Sequence, residues 1–203
     1  LPSNYQKAVD LLVKKGVFLI DVELTFSYDG LAVRDVGSIP NNLKFKFCKK
    51  FNREVFIPLA REMRLSRFFV DSLISKDKAI RLWKASIRNH CAGFADQLLI
   101  AYYNDKPSGI VTIKFKDGRR IFLHIVGVLR ELQGKKIARF MLRKITERYA
   151  KDYSIFVETQ PSNVDAQTVY QKMGFKYYDL KYILHYWQIL KNKSRLSMLA
   201  GQK

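Results

Sequence analysis

At 203 residues with 48% apolar side chains, the chain can hold one full domain and a smaller appendage, and its composition excludes disorder as the default state. A formal net charge of +19 draws polyanions such as nucleic acid, an anionic membrane surface or phosphate-rich small molecules. That charge is spread from Lys7 to Lys203 with no long run of like charges, which points to a solvated basic surface and away from a dedicated nucleic-acid groove. No apolar run reaches the length of a membrane span; the longest, LLIAYY, is strand-sized. Cys48 and Cys91 are the two cysteines, and His90, His124 and His185 stand singly, so two free thiols in a reducing, cytoplasmic setting are expected and no metal site is. The chain starts at Leu1 and not Met, which leaves room for a piece upstream.

In chain order, LLVKKGVFLIDVELTF (Leu11 to Phe26) reads as a helix end, a Gly16 C-cap and a strand. VYQKMGFKYYDLKYIL (Val169 to Leu184) has the same pattern: Lys two before a glycine, an apolar residue after it, Asp five after it. Read as a pseudo-repeat, this makes residues 1–45 the closing part of a truncated half-domain that begins upstream. SIPNN, Ser38 to Asn42, is turn-rich and serves as a linker. Pro58 opens a short helical segment, LAREMRL, and SRFFVDSL follows. Ser75 then caps a helix with Ile80, Trp83 and Ile87 on one face, ending at Gly93. DQLLIAYY and IVTIKFK are strands, DG is a hairpin turn, and RRIFLHIVGV is the returning strand. A helix after QGKKIA carries Ile137, Met141, Ile145 and Tyr149 at four-residue spacing. SIFVET is a buried strand, NVDAQTVYQKM a helix, and FKYYDLKYILHYW supplies aromatic strands that could pair across a homodimer. The order implies an α+β, mixed-sheet domain over residues 46–190, with a basic tail at 191–203.

Strand, glycine loop and helix make a ready anion site, because the first helical N–H groups have no intrahelical partners. Taken alone, QGKKIA also fits an ordinary basic strand-to-helix turn. The longer stretch VGVLRELQGKKIARFML resembles motif A of the GNAT acetyltransferases: Gln133, Gly134 and Ala138 match, and Lys136 replaces the middle glycine. ETQPSNVDAQTVYQKMGF resembles the family's motif B, with Asn163, Ala166, Tyr170, Gly174 and Phe175 in place. SRFFVDSLISKDKAIRLWKASIRNHCAG is similar to the segment before the sheet in bacterial sugar-nucleotide acetyltransferases of the TDP-fucosamine type.

The resemblance implies a GNAT fold: a mostly antiparallel sheet, splayed at its centre and flanked by helices. It implies acetyl-CoA or another acyl-CoA as co-substrate, with pantetheine adding as a pseudo-strand along Val126 and Val128. The pyrophosphate would sit on amides of Gln133, Gly134, Lys135, Lys136, Ile137 and Ala138, with ordinary helical dihedrals at Lys136. Arg139 and Arg143 could reach the adenosine phosphate or be plain solvated charges. Asn163 would bond the pantetheine arm or cap the next helix. Tyr170 would protonate the departing thiolate, since a phenol of pKa about 10 keeps its proton at neutral pH; otherwise it is a core tyrosine. His124, placed by strand alternation on the face of Val126, is a candidate base for the attacking amine or a satisfied surface histidine. Gln160, Arg67 and Asp71 would line the acceptor side, Arg67 and Asp71 otherwise forming a structural ion pair.

These residues together describe an N-acyltransferase acting by direct attack on a nucleotide-linked amino sugar, dTDP-linked in the simplest case, in surface-glycan synthesis. No Cys or Ser sits in a nucleophile-like setting. Two rivals stay open: a GNAT acting on a protein or small-molecule amine, and a non-catalytic nucleic-acid module. Against the second, basic and aromatic residues of RRIFLHIV do not interleave as a stacking platform requires.

Overall fold

The computed structural model describes residues 3–30 and 37–188. Two compact units are formed, one by Leu1–Asp21 with Tyr182–Lys203 and one by Val22–Lys181. In the smaller, helix α1 (Ser3–Lys14) ends at Gly16, whose φ of +81° turns the chain into strand β1 (Val17–Tyr28). There the Trp187 N–H donates to Gly16 O at 2.8 Å.

The larger unit begins within β1, which pairs antiparallel with β6 (Ser154–Thr159) from Leu24 to Tyr28. The other elements, in chain order, are β2 (Leu43–Cys48), a 3-10 turn over Ile57–Arg61, α2 (Arg67–Val70), α3 (Lys76–Asn89), β3 (Gln97–Tyr103), β4 (Lys106–Lys116), β5 (Arg120–Val128), α4 (Ile137–Tyr149), β6, α5 (Val164–Lys172) and β7 (Lys176–Tyr186). The sheet runs β2-β3-β4-β5-β6-β1-β7. Pairs β2–β3, β3–β4, β4–β5 and β1–β6 are antiparallel, and β5–β6 is parallel. The expected mixed α/β class is what the chain adopts. Strand β2 was not foreseen, although LKFKFC alternates with period two; the aromatic C-terminal stretch is one strand, not several. The tail at 191–203 lies outside the described residues.

Local chemistry accounts for the boundaries. The Ser75 hydroxyl accepts from the Lys78 N–H at 3.4 Å and starts α3; Gly93, at φ +121°, ends the turn that follows it. Gly118 and Arg119, at φ +73° and +55°, make the tight hairpin between β4 and β5. One core lies on the α4–α5 face of the sheet around Leu99, Val111, Ile121, Met141, Ile145 and Val157. The other packs Phe56, Leu59, Ile87 and Cys91 against Leu98, Ile100, Ile110 and Ile125 on the opposite face. Each fully buried Leu or Ile contributes about 1.5–3 kcal/mol.

Two irregularities in β5 position the site. Thr112 pairs with Ile125 and Ile113 with Leu123, so His124 is an extra residue, a β-bulge. The bulge shifts the side-chain phase: Ile121 and Leu123 face the first core before it, Val126 and Val128 after it. Second, the parallel register with β6 runs from Arg120–Ser154 to Leu123–Val157 and then stops, so the two strands part.

Candidate active site

Where β5 parts from β6, a cleft of about 640 Å³ opens. Its walls come from Val126 to Val128, the loop from Leu132 to Ile137, the starts of α4 and α5, and Leu59, Glu62 and Met63. The edge of β5 in this cleft is set by alternation. Ile125 N–H donates to Thr112 Oγ1 at 3.0 Å and Leu129 N–H to Ser108 O at 2.9 Å, both toward β4. Val126 and Val128, in the other phase, therefore turn their backbone groups to the gap. One of those groups is already used: Gln133 Nε2 donates to Val128 O at 3.2 Å. A carbonyl has two lone pairs, so this bond leaves room for a second donor.

The loop is built for an anion. Gln133 is extended (φ −63°, ψ 158°), Gly134 has φ +80°, and Lys136 has φ +59° and ψ 13°. Lys136 thus adopts a left-handed backbone, and the ordinary helical dihedrals expected there are corrected. Such a conformation costs a non-glycine residue about 1–2 kcal/mol. Successive N–H groups in such a turn conformation make a concavity that suits an anion, a nest. Lys136 O accepts the first helical bond, from Phe140 N at 3.2 Å, so the N–H groups of Ile137, Ala138 and Arg139 lack helical partners at the positive end of α4. A Cβ at Gly134 would meet nothing within 4 Å, so only the backbone conformation reserves that position for glycine.

Tyr170 reaches the cleft from α5 and is 5% exposed, packed against Phe26 and Phe175 at ring distances of 5.9 and 6.0 Å. Burial pushes its pKa well above the ordinary tyrosine value, so it holds its proton at any physiological pH. Asn163 caps α5, its Oδ1 accepting from Ala166 N at 3.3 Å, and it also lines the cleft.

Other expectations divide. Gly134, Gln133, Lys136, Ile137, Ala138, Val126 and Val128 all line the cleft, as does Arg139. Lys135 points elsewhere, its ammonium 5.3 Å over the Tyr103 ring. Arg143 is engaged with Glu147 at 2.7 Å and Gly37 O at 3.0 Å. His124 does not share the face of Val126, because the bulge lies between them; its ring stacks on Phe122, and it is not part of the cleft wall. Burial lowers its pKa, partly offset by Glu158, with Lys116 and Lys114 lowering it further. Glu158 is held by Lys181 on the same face. Arg67 pairs with Glu23 at 3.8 Å, and Asp71 is buried with Oδ1 accepting from Leu73 N at 2.8 Å. Gln160 is outside the cleft wall; its carbonyl accepts from Asn163 N at 3.0 Å. Leu59, Glu62, Met63 and Gly127 were not foreseen. Gly127 could have been: it is a glycine inside a strand pattern, and a Cβ there would lie 2.7 Å from Leu59 Cδ1.

The model of the acetyltransferase (GNAT) family matches residues 58–175. The chain belongs to the GNAT family. Among curated proteins, this GNAT chain is 30% identical over 137 residues to the spore coat polysaccharide biosynthesis protein SpsD of Bacillus subtilis, covering 66% of this chain and 47% of that protein. The chain thus spans about half the length of the curated relative it matches. Among solved structures it superposes on a functionally unknown conserved protein from Staphylococcus epidermidis with a TM-score of 0.63 at 20% identity, covering 89% and 67% of the two chains. A GCN5-related N-acetyltransferase from Sphaerobacter thermophilus gives 0.53 at 15% identity, covering 89% and 55%. The second of these likenesses supports the GNAT fold. Among the described residues no helix is long and apolar enough to cross a membrane.

Proposed function

We propose that this protein transfers an acetyl group from acetyl-CoA to the amine of a nucleotide-linked amino sugar, dTDP-linked in the favoured case, in the cytoplasm. The observation that carries the proposal is the coincidence, in one cleft, of a free strand edge, an anion nest and a buried tyrosine, in a chain related to a polysaccharide biosynthesis protein. The residues fit coenzyme A: the nest and the N–H groups of Ile137 to Arg139 suit its pyrophosphate, and the backbone of Val126 and Val128 suits its pantetheine amides. Bound there, acetyl-CoA supplies the activated acetyl group.

The protein's own groups then handle two protons. The acceptor nitrogen forms the new bond to the acetyl carbon as the bond to sulfur breaks. Tyr170 gives its hydroxyl proton to the departing thiolate, and His124 takes the proton the amine must shed, directly or through water. His124 is suited by its depressed pKa, which keeps it neutral at pH 7, and by Glu158, which favours the imidazolium once formed. Tyr170 and His124 lie on opposite faces of the sheet where β5 and β6 part, which lets the amine approach from one face and the thiolate leave on the other. A cationic protein also suits a pyrophosphate-bearing acceptor better than a polyamine.

The test is thiol release from acetyl-CoA against dTDP- and UDP-linked amino sugars, with peptides and polyamines as comparators. Rapid release with a nucleotide sugar is expected. Release only with a peptide or polyamine would move the acceptor to another amine class.

A further inference from the structure

Among the described residues, two carboxylates line a cleft whose other features suit an anion. Asp165 stands in the first turn of α5, where it complements the positive end of that helix. Glu62 has no such use. It comes from the opposite wall, with Leu59 and Met63, and the phosphates of coenzyme A would repel it.

Local structure fixes the place of Glu62. Leu59 belongs to the core on the face away from α4 and seats against Gly127, which only a glycine allows: a Cβ there would lie 2.7 Å from Leu59 Cδ1. The Glu62 N–H donates to Leu59 O at 2.9 Å and closes the 3-10 turn, with Glu62 itself still helical at φ −88° and ψ −13°. Side chains three apart in such a turn eclipse, so Glu62 follows Leu59 toward β5. Its ion pair is loose. Arg130 Nη1 lies 3.9 Å from Glu62 Oε1, past hydrogen-bond range, and the Arg130 side chain is 73% exposed against 28% for Glu62. Pairs of that kind contribute little, so a closer cation displaces the arginine at small cost.

We infer that Glu62 holds the ammonium of the acceptor in the cleft, so that its carboxylate selects an amine and orients it toward the thioester. The inference deepens, and rests on, the acyl-transfer reading above, which names no group that receives the amine. That reading brings the amine in from the face away from α4, the face of Leu59, Glu62 and Met63, while Tyr170 comes from α5 on the other side. An ordinary aliphatic amine arrives protonated at pH 7, and a partly buried carboxylate offers it short, charge-assisted hydrogen bonds. One N–H of the ammonium engages Glu62, which leaves another for the base. A protein of net charge +19 repels such a cation at long range, and a carboxylate in the cleft wall reverses the sign locally.

The experiment is steady-state thiol release from acetyl-CoA by the wild-type protein, Glu62→Gln and Arg130→Gln, with the dTDP- and UDP-linked amino sugars, peptides and polyamines of the panel above. Glu62→Gln should raise the acceptor KM roughly tenfold or more and keep kcat within about threefold of wild type. Arg130→Gln removes only the loose partner and should leave that KM level or lower it. Calorimetric titration of acetyl-CoA is the folding control, and Glu62→Gln should bind it as tightly as the wild type or more so. An unchanged acceptor KM in Glu62→Gln overturns the inference. An equal rise in both variants assigns the carboxylate to its ion pair and overturns it too, as does weakened acetyl-CoA binding in Glu62→Gln, which assigns it to the donor. A kcat that falls about a hundredfold at unchanged KM makes Glu62 the proton acceptor and removes the anchoring role. Failure of the nucleotide-sugar reading shows separately: release only with peptides or polyamines moves the acceptor class, while a Glu62-dependent KM for that amine retains the anchor. Silence of the wild type with every amine overturns both.

Discussion

The two faces of the larger unit's sheet are built differently around β5. On the α4 face the site is made of backbone: the strand edge at Val126 and Val128, the left-handed Gly134 and Lys136, and the unpartnered amides that begin α4. The other face carries side-chain contacts instead: Phe122 and Phe156 stack at 5.0 Å across β5 and β6, and His124 lies on Phe122. A backbone site tolerates a change of side chain wherever the dihedral survives, as Lys136 demonstrates.

The largest expected effect breaks the link between the faces. Tyr170→Phe should reduce turnover by roughly two to four orders of magnitude while leaving acetyl-CoA binding near normal. Unchanged turnover would retire Tyr170 as the acid. On the opposite face, His124→Gln should lower turnover by about a hundredfold and remove the acid limb of the rate profile. The sign is determined: the depressed pKa of His124 means activity is full at pH 7 and falls as pH drops through a value below 6.5. A variant that keeps the limb's position and steepness would show another group accepts the proton.

Smaller effects sharpen the backbone account. Gly127→Ala places a Cβ 2.7 Å from Leu59 Cδ1, and overpacking of this kind costs about 1–3 kcal/mol, readable as a lower urea midpoint. Full wild-type stability would mean that Leu59 rotates away freely. Lys136→Gly gives the smallest change. Relief of the left-handed strain outweighs or matches the entropy lost with glycine, so stability should stay level or rise by up to about 1 kcal/mol. A loss of about 1 kcal/mol, the ordinary penalty for glycine inside a helix, would show that Lys136 is not left-handed in solution.

What was legible in the sequence divides along the same line. Gln133, Gly134, Ala138, Asn163 and Tyr170 could be read because a loop that needs particular dihedrals and caps leaves fixed residue types at fixed spacing. The face of His124 could not, since alternation predicts it only for an unbroken strand and a single inserted residue reverses it. The destinations of Lys135 and Arg143 were equally hidden, because long cations choose partners by tertiary proximity: Tyr103 for one, Glu147 and Gly37 for the other. Leu59, Glu62 and Met63 enter the cleft from a segment far upstream in sequence, and no local pattern announces that. The strand order and helix starts were largely visible; β2 was overlooked despite its alternation.

The most direct test of the central claim is an equilibrium titration of acetyl-CoA into the wild-type protein and into Gly134→Val. If the loop from Gln133 to Ala138 holds the pyrophosphate, the wild type binds saturably and the variant, forced out of φ +80°, binds at least tenfold more weakly. Equal affinity for the two proteins, or none for the wild type, would contradict the account at its foundation.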